Sequence, residues 1–271
     1  MIWLAIAGGI CTLYFSYRYG WWLPTVSYCK PRILMYHMVN NHKQGQKFKG
    51  LRVPPSMFEK QLAYMDKHDW RFYTVSELME LDTPPPKSVA ITFDDGYADN
   101  FTHAFPILKK HNAKATLYLV VDRHNRDWST SKKAHHNNGE LAAEPKLTDN
   151  QVNEMLASGL VELGAHTLTH ANLAAMNKEQ KSAEIGASKT ALEQTFKTRV
   201  KSFAYPFGIY NQEDAELVKA TGFTSAVTTI DGIEALDKAN PFELKRVKIS
   251  GKDNFLAFKI RLKIGKRGWK K

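Results

Sequence analysis

The chain alternates short apolar runs with segments whose apolar residues recur at helical spacing. Runs of strand length occupy 33–37, 89–93, 115–121, 161–166, 202–205, 225–229 and 244–249. Between them, a period near 3.6 predicts helices over 57–68, 75–81, 100–111, 149–158, 178–196 and 214–221. Seven strands with intervening helices predict an α/β barrel or a doubly wound sheet. The stretch TPPPK (83–87) is a rigid connector into the second run, and the polar stretch 122–146, with His135 and His136, predicts a long surface loop. No repeat of fixed period is present.

The first residues break this pattern. Positions 2–15 are almost wholly apolar, and Arg18, Tyr19, Trp21 and Trp22 follow. Such a stretch, ending in interfacial aromatics, predicts one retained membrane anchor over 1–24; a helix lying in one leaflet is the alternative. The early positive charge and small-x-small site of a cleaved signal peptide are absent. Arg18, Lys30 and Arg32 follow the apolar run and no Lys or Arg precedes it, so the charge bias points the remainder to the cytoplasmic side of a bacterial-type inner membrane crossed once. The expected organisation is an anchor (1–24), a catalytic domain (25–251) and a basic tail (252–271).

Net charge changes the picture of partners. The formal charge is +11, and residues 252–271 carry eight Lys or Arg against one acid, Asp253. Such a balance favours an anionic partner. No nucleic-acid-binding signature accompanies the charge, so lipid headgroups met through the anchor and the tail are the expected partners, and nucleic acid is not. Cys11 and Cys29 form neither a disulfide framework nor a CxxC pair.

Candidate chemistry concentrates at strand ends. In TFDDGYADN (92–100), Asp94 and Asp95 stand side by side after an apolar run. A helix cap needs one Asp; two adjacent carboxylates at a buried strand end call for a cation or a shared proton. GAHTLTH (164–170) supplies His166 and His170 at i, i+4, a metal-binding spacing when it begins a helix. With Asp95 they make an Asp-His-His divalent site, which leaves the other aspartate free to accept a proton from an attacking water. In FAYPFG (203–208), Pro206 and Gly208 shape a turn around Phe207 whose backbone N–H can face an oxyanion.

TFDDGY, HTLTH and the YPFG turn together resemble the polysaccharide deacetylases, the NodB-homology domain of carbohydrate esterase family 4. The resemblance covers residues 31–249 and implies a distorted (β/α)7 barrel that removes N-acetyl groups from amino sugars of a cell-envelope polysaccharide or lipid-linked glycan. It implies a divalent metal, zinc in many members, with Asp95, His166 and His170 as ligands, Asp94 as general base, and Tyr205, Pro206 and Phe207 on the substrate or oxyanion side. Two departures stand out. The third motif begins with Ala204 where the family has arginine, and Arg246 in LKRV is the candidate replacement; no histidine follows His170 to serve as the late acid. LMYH (34–37) resembles the subgroup that deacetylates poly-N-acetylglucosamine, where a permuted topology brings the acid from the first strand, which makes His37 the candidate. The alternatives are a membrane-anchored glycan-binding module without turnover and an amide hydrolase for non-sugar substrates.

Overall fold

The computed structural model describes residues 2–124 and 139–267. Most of the predicted 122–146 loop, including His135 and His136, and the last four residues of the tail lie outside the described residues. In chain order the elements are α1 (Ile2–Tyr19), β1 (Arg32–Tyr36), β2 (Met38–Val39), β3 (Arg52–Val53), α2 (Pro55–Lys67), β4 (Arg71–Tyr73), α3 (Val75–Glu80), β5 (Ser88–Asp94) and α4 (Phe105–Lys110). They continue with β6 (Ala115–Leu119), α5 (Asp149–Ala157), β7 (Val161–Ala165), α6 (Lys178–Phe196), β8 (Ser202–Ala204), α7 (Gln212–Ala220), β9 (Ser225–Asp231), β10 (Leu244–Lys248) and α8 (Phe255–Ile264). Helix starts are set locally: Thr74, Thr148, Asn177 and Asn211 each form a reciprocal capping box at the head of α3, α5, α6 and α7.

All strand pairings of the main sheet are parallel, in the order β1-β10-β9-β8-β7-β6-β5, and β1 also pairs with β5. That last pairing closes a seven-stranded barrel, the predicted (β/α)7 architecture, and rules out the doubly wound alternative. The short β4 pairs only with the first half of β5, leaving the second half to β6. Strand alternation divides the side chains into two sets. Leu34, Tyr36, Ile91, Phe93, Leu117, Leu163 and Phe203 belong to the large core shared with the helices. Ile33, Ala90, Tyr118, Ala204, Val227 and Leu244 form a smaller cluster with Val75 and Leu78, so α3 plugs the end of the barrel where β5 begins. The plug is tied by polar contacts, with Val75 N donating to Thr116 Oγ1 (2.9 Å) and Ser76 N to Glu162 Oε1 (3.0 Å). Gly164 is required on β7, because a Cβ there would lie 2.5 Å from the Tyr118 ring.

Two expectations change. The segment read as a basic tail contains α8, whose Ala257, Phe258, Ile260 and Leu262 are buried. Burying Phe258, Ile260 and Leu262 stabilises the packed helix by roughly 1.5–3 kcal/mol each, while Lys259 stays exposed, so interleaved lysines hid an apolar face. Second, α1 is a helix of 18 residues, but no described helix is long and apolar enough to cross a membrane. Gly8, Gly9, Thr12, Ser16 and Arg18 dilute its apolar character. The short strands β2, β3 and β4, two or three residues each, were too brief to show a period.

Beside the barrel, Asp99 accepts hydrogen bonds from Val39 N (3.1 Å) and Asn100 Nδ2 (3.2 Å) and thereby holds β2 in place. Burial raises its carboxyl from 3.8 to about 6. A raised carboxyl pKa gives stability that is complete below the unfolded value and is lost as pH rises through the folded one, here between about 4 and 6. Asp99→Asn keeps the acceptor and cannot ionise. Urea denaturation should show it gaining on the wild type by roughly 3 kcal/mol between pH 4 and pH 7; a difference independent of pH would refute the account.

Candidate active site

The adjacent carboxylates are separated by backbone geometry. Asp94 ends β5 with its side chain directed into the barrel, whereas Asp95 and Gly96 both adopt left-handed φ, 77° and 79°. Asp tolerates this region better than most residues, and Gly96 has no alternative, since a Cβ there would sit 2.3 Å from Leu119 Cδ1. The turn swings Asp95 over the barrel rim toward the end of β7. Both carboxylates are buried, at 2% and 4% exposure.

There, Asp95 Oδ1 lies 3.3 Å from His166 Nε2 and 3.2 Å from His170 Nε2. The histidines do not begin a helix as their spacing predicts. They sit on an irregular loop in which Thr167 (φ 63°) and His170 (φ 57°) are left-handed, held by Thr169 N and Oγ1 bonded to Glu184. Reversed backbone at both residues, rather than a helical turn, aims the two imidazoles at one point.

The donor atoms of Asp95, His166 and His170 all lie within 4.8 Å of one another. His166 Nδ1 is 2.8 Å from the Ala204 carbonyl, which only accepts, so in the neutral ring Nδ1 carries the proton and Nε2 turns a lone pair toward Asp95. Asp95 Oδ1, buried, makes no hydrogen bond of good geometry. A carboxylate oxygen and an imidazole lone pair facing each other in a buried pocket need a cation between them, and two imidazoles with one carboxylate suit zinc. The residues therefore fit a divalent metal. Burial opposes ionisation of Asp95, yet the His170 and His166 imidazoles that face it hold its carboxyl well below the usual range.

Asp94 faces a different partner. Arg246, fully buried on β10, grips it in a bidentate pair, Nη1 to Oδ1 and Nη2 to Oδ2, both 2.7 Å. The guanidinium is itself held by Thr228 O (2.7 Å) and Thr92 Oγ1 (3.0 Å), above the Tyr118 ring. Burial pushes the Asp94 carboxyl up, but Arg246 more than offsets this and the net shift is downward, so Asp94 is an anion. His37, just past β1, brings Nε2 to 4.0 Å from Asp94 Oδ2 with its side chain 19% exposed. Burial lowers its pKa, partly countered by the two aspartates. Asn100 holds the His37 carbonyl (2.8 Å); it lies in the quoted stretch 92–100, yet its positioning role was not legible from the sequence.

The third stretch is divided. Phe207 has a left-handed φ of 59°, and its ring meets the His170 ring edge-on with centroids 4.3 Å apart. Gly208 makes this turn possible, as a Cβ there would lie 1.8 Å from Thr229 Oγ1. Tyr205 and Pro206, expected on the substrate side, are buried scaffold. Tyr205 Oη donates to Phe242 O (3.0 Å) and its ring stacks on Tyr210, so the tyrosine side chain is committed to the core.

A family profile described as polysaccharide deacetylase matches residues 82–226. The chain belongs to the polysaccharide deacetylase family. Among its relatives, Bacillus subtilis YxkH is 31% identical over 233 residues, 84% of this chain and 75% of that protein. A poly-beta-1,6-N-acetyl-D-glucosamine N-deacetylase of Staphylococcus aureus is 26% identical over 240 residues, covering 81% and 76%. A polysaccharide deacetylase of Bacillus cereus superposes with a TM-score of 0.72 at 27% identity, over 86% of this chain and 69% of that one. The profile spans the Asp pair, both histidines and the third motif, while β1 with His37 and β10 with Arg246 lie outside it.

The two aspartates should separate in a metal-binding experiment. Asp94→Asn is expected to retain zinc by calorimetry, whereas Asp95→Ala and His166→Ala should each weaken it at least 100-fold. Equal loss in all three would mean that Asp94 is a ligand too.

Proposed function

We propose that the protein is a metal-dependent N-deacetylase acting on a polymer containing N-acetylglucosamine. The observation that carries this reading is the convergence on one barrel rim of a buried Asp-His-His donor set, an Arg-clamped carboxylate and a histidine. The family and the S. aureus relative support the substrate class. A divalent cation held by Asp95, His166 and His170 would supply Lewis-acid polarisation of the amide and the attacking water.

The chain's own residues account for the proton movements. Asp94, kept ionised and fixed in orientation by Arg246, takes a proton from the attacking water as its oxygen bonds to the acetyl carbon. Phe207, whose ring meets His170, offers its backbone N–H to the carbonyl oxygen as charge develops there. The C–N bond then breaks, and the amine nitrogen leaves with a proton from His37, because an amide anion is too basic to depart alone. The products are acetate and a free glucosamine amine. The full set of base, ligands and acid favours turnover over a binding module.

Acetate release from β-1,6-linked N-acetylglucosamine oligomers, lost on chelation and restored by zinc, tests the reading. Turnover of simple N-acetyl amides without activity on the oligomers would move the assignment to a non-sugar amide hydrolase.

His37→Ala isolates the acid. It should fold and bind zinc as the wild type does, yet lose about 100-fold or more in amide turnover. An activated acetate ester, whose leaving group needs no proton, should suffer far less. Parallel loss on both substrates would remove His37 from that role.

A further inference from the structure

The described side chains of the first helix meet almost no protein. Residues 8–15 of α1 are exposed without exception, Leu13 at 72% and Ile10 at 62%, and Trp3 one turn earlier reaches 82%. A surface helix of a globular domain hides its apolar stripe; one that leaves Trp3, Ile6, Ile10 and Leu13 uncovered calls for a non-aqueous surrounding. Only its C-terminal end is fixed. Lys263 Nζ on α8 donates to Trp21 O (3.1 Å), Asn254 Nδ2 donates to Tyr19 Oη (3.3 Å), and Val26 N donates to Lys263 O (3.0 Å). At that junction Leu13, Ser16, Tyr17, Trp21 and Trp22 line an open, mostly apolar cleft of about 420 Å³.

Charge identifies what covers this helix. No Asp or Glu occurs before Glu59, and none follows Asp253, while Arg18 lies on α1, Lys30 follows it, and Lys259 and Lys263 lie on α8. A largely apolar helix rimmed by aromatic rings, in a stretch of chain that carries cations and no acid, complements a bilayer bearing anionic headgroups. We propose that α1 lies in the interface of an anionic membrane and, through its junction with α8, docks the barrel there without crossing the bilayer. None of the residues named at this junction belongs to the catalytic rim.

The full-length protein should co-sediment with phosphatidylcholine vesicles containing 30% phosphatidylglycerol, on the order of tenfold or more tightly than with phosphatidylcholine alone, and salt should weaken the difference. The double variant Ile10→Glu/Leu13→Glu changes only exposed residues. It should lose at least tenfold in vesicle binding while acetate release from soluble oligomers stays unchanged. Binding unaffected by the variant, or equal on both vesicle types, would overturn the proposal. So would sedimentation of the lipid-free protein as a dimer that the variant dissociates, since a second copy would then be the cover. Activity on soluble oligomers does not depend on lipid, so failure here and failure of the deacetylase reading are read from different measurements.

Discussion

Burying a carboxylate that must remain charged is the constraint around which this barrel is arranged. Asp94 sits inside the wall, where an unpaired anion would be strongly destabilising, and Arg246 answers it with two parallel hydrogen bonds. The arginine in turn needs acceptors, which Thr228 O and Thr92 Oγ1 provide, and room, which the packing of Tyr118 against Gly164 provides. A chain of small requirements therefore runs from one carboxylate across five strands. Asp95 escapes it by the left-handed turn, which sends the second charge to the histidines instead of into the barrel.

This division of labour depends on topology as much as on residue type. His37 leaves β1, Asp94 ends β5, and Arg246 stands on β10; they meet because β1 is hydrogen-bonded to both β5 and β10. In the family resemblance the cation partnering the base comes from the third motif, where this chain has Ala204. Arg246 reaches the same carboxylate from a strand far along the sequence, and the Ala204 carbonyl, still present, orients His166.

Much of this was legible beforehand because strands and ligands announce themselves locally. The seven barrel strands are apolar runs, and Asp94, Asp95, His166 and His170 lie in compact motifs. What could not be read depends on tertiary packing. The His166–His170 spacing suggested a helix, but the loop is held by Glu184 on another element. Tyr205 resembled a substrate residue until its hydroxyl was seen to be taken by Phe242 O. The helix α8 was masked by lysines whose alkyl stems and charges lie at the rim of a buried face, as with Lys259 over Phe255. Nor does α1 decide the anchor expectation: its described side chains are largely uncovered, yet glycines and polar residues interrupt its apolar run, and no described helix is long and apolar enough to cross a membrane.

The seam between β1, β5 and β10 also sets an order of assembly. Asp94 and Arg246 are separated by 152 residues, so a chain emerging from its N-terminus presents the carboxylate long before its counter-charge exists. Any partly built barrel that stops before β10 must leave Asp94 in water or bear it unpaired, and both oppose closure. Closing the wall and pairing Asp94 are then one cooperative event, completed by β10. A growing chain is thereby biased against sealing its barrel too early.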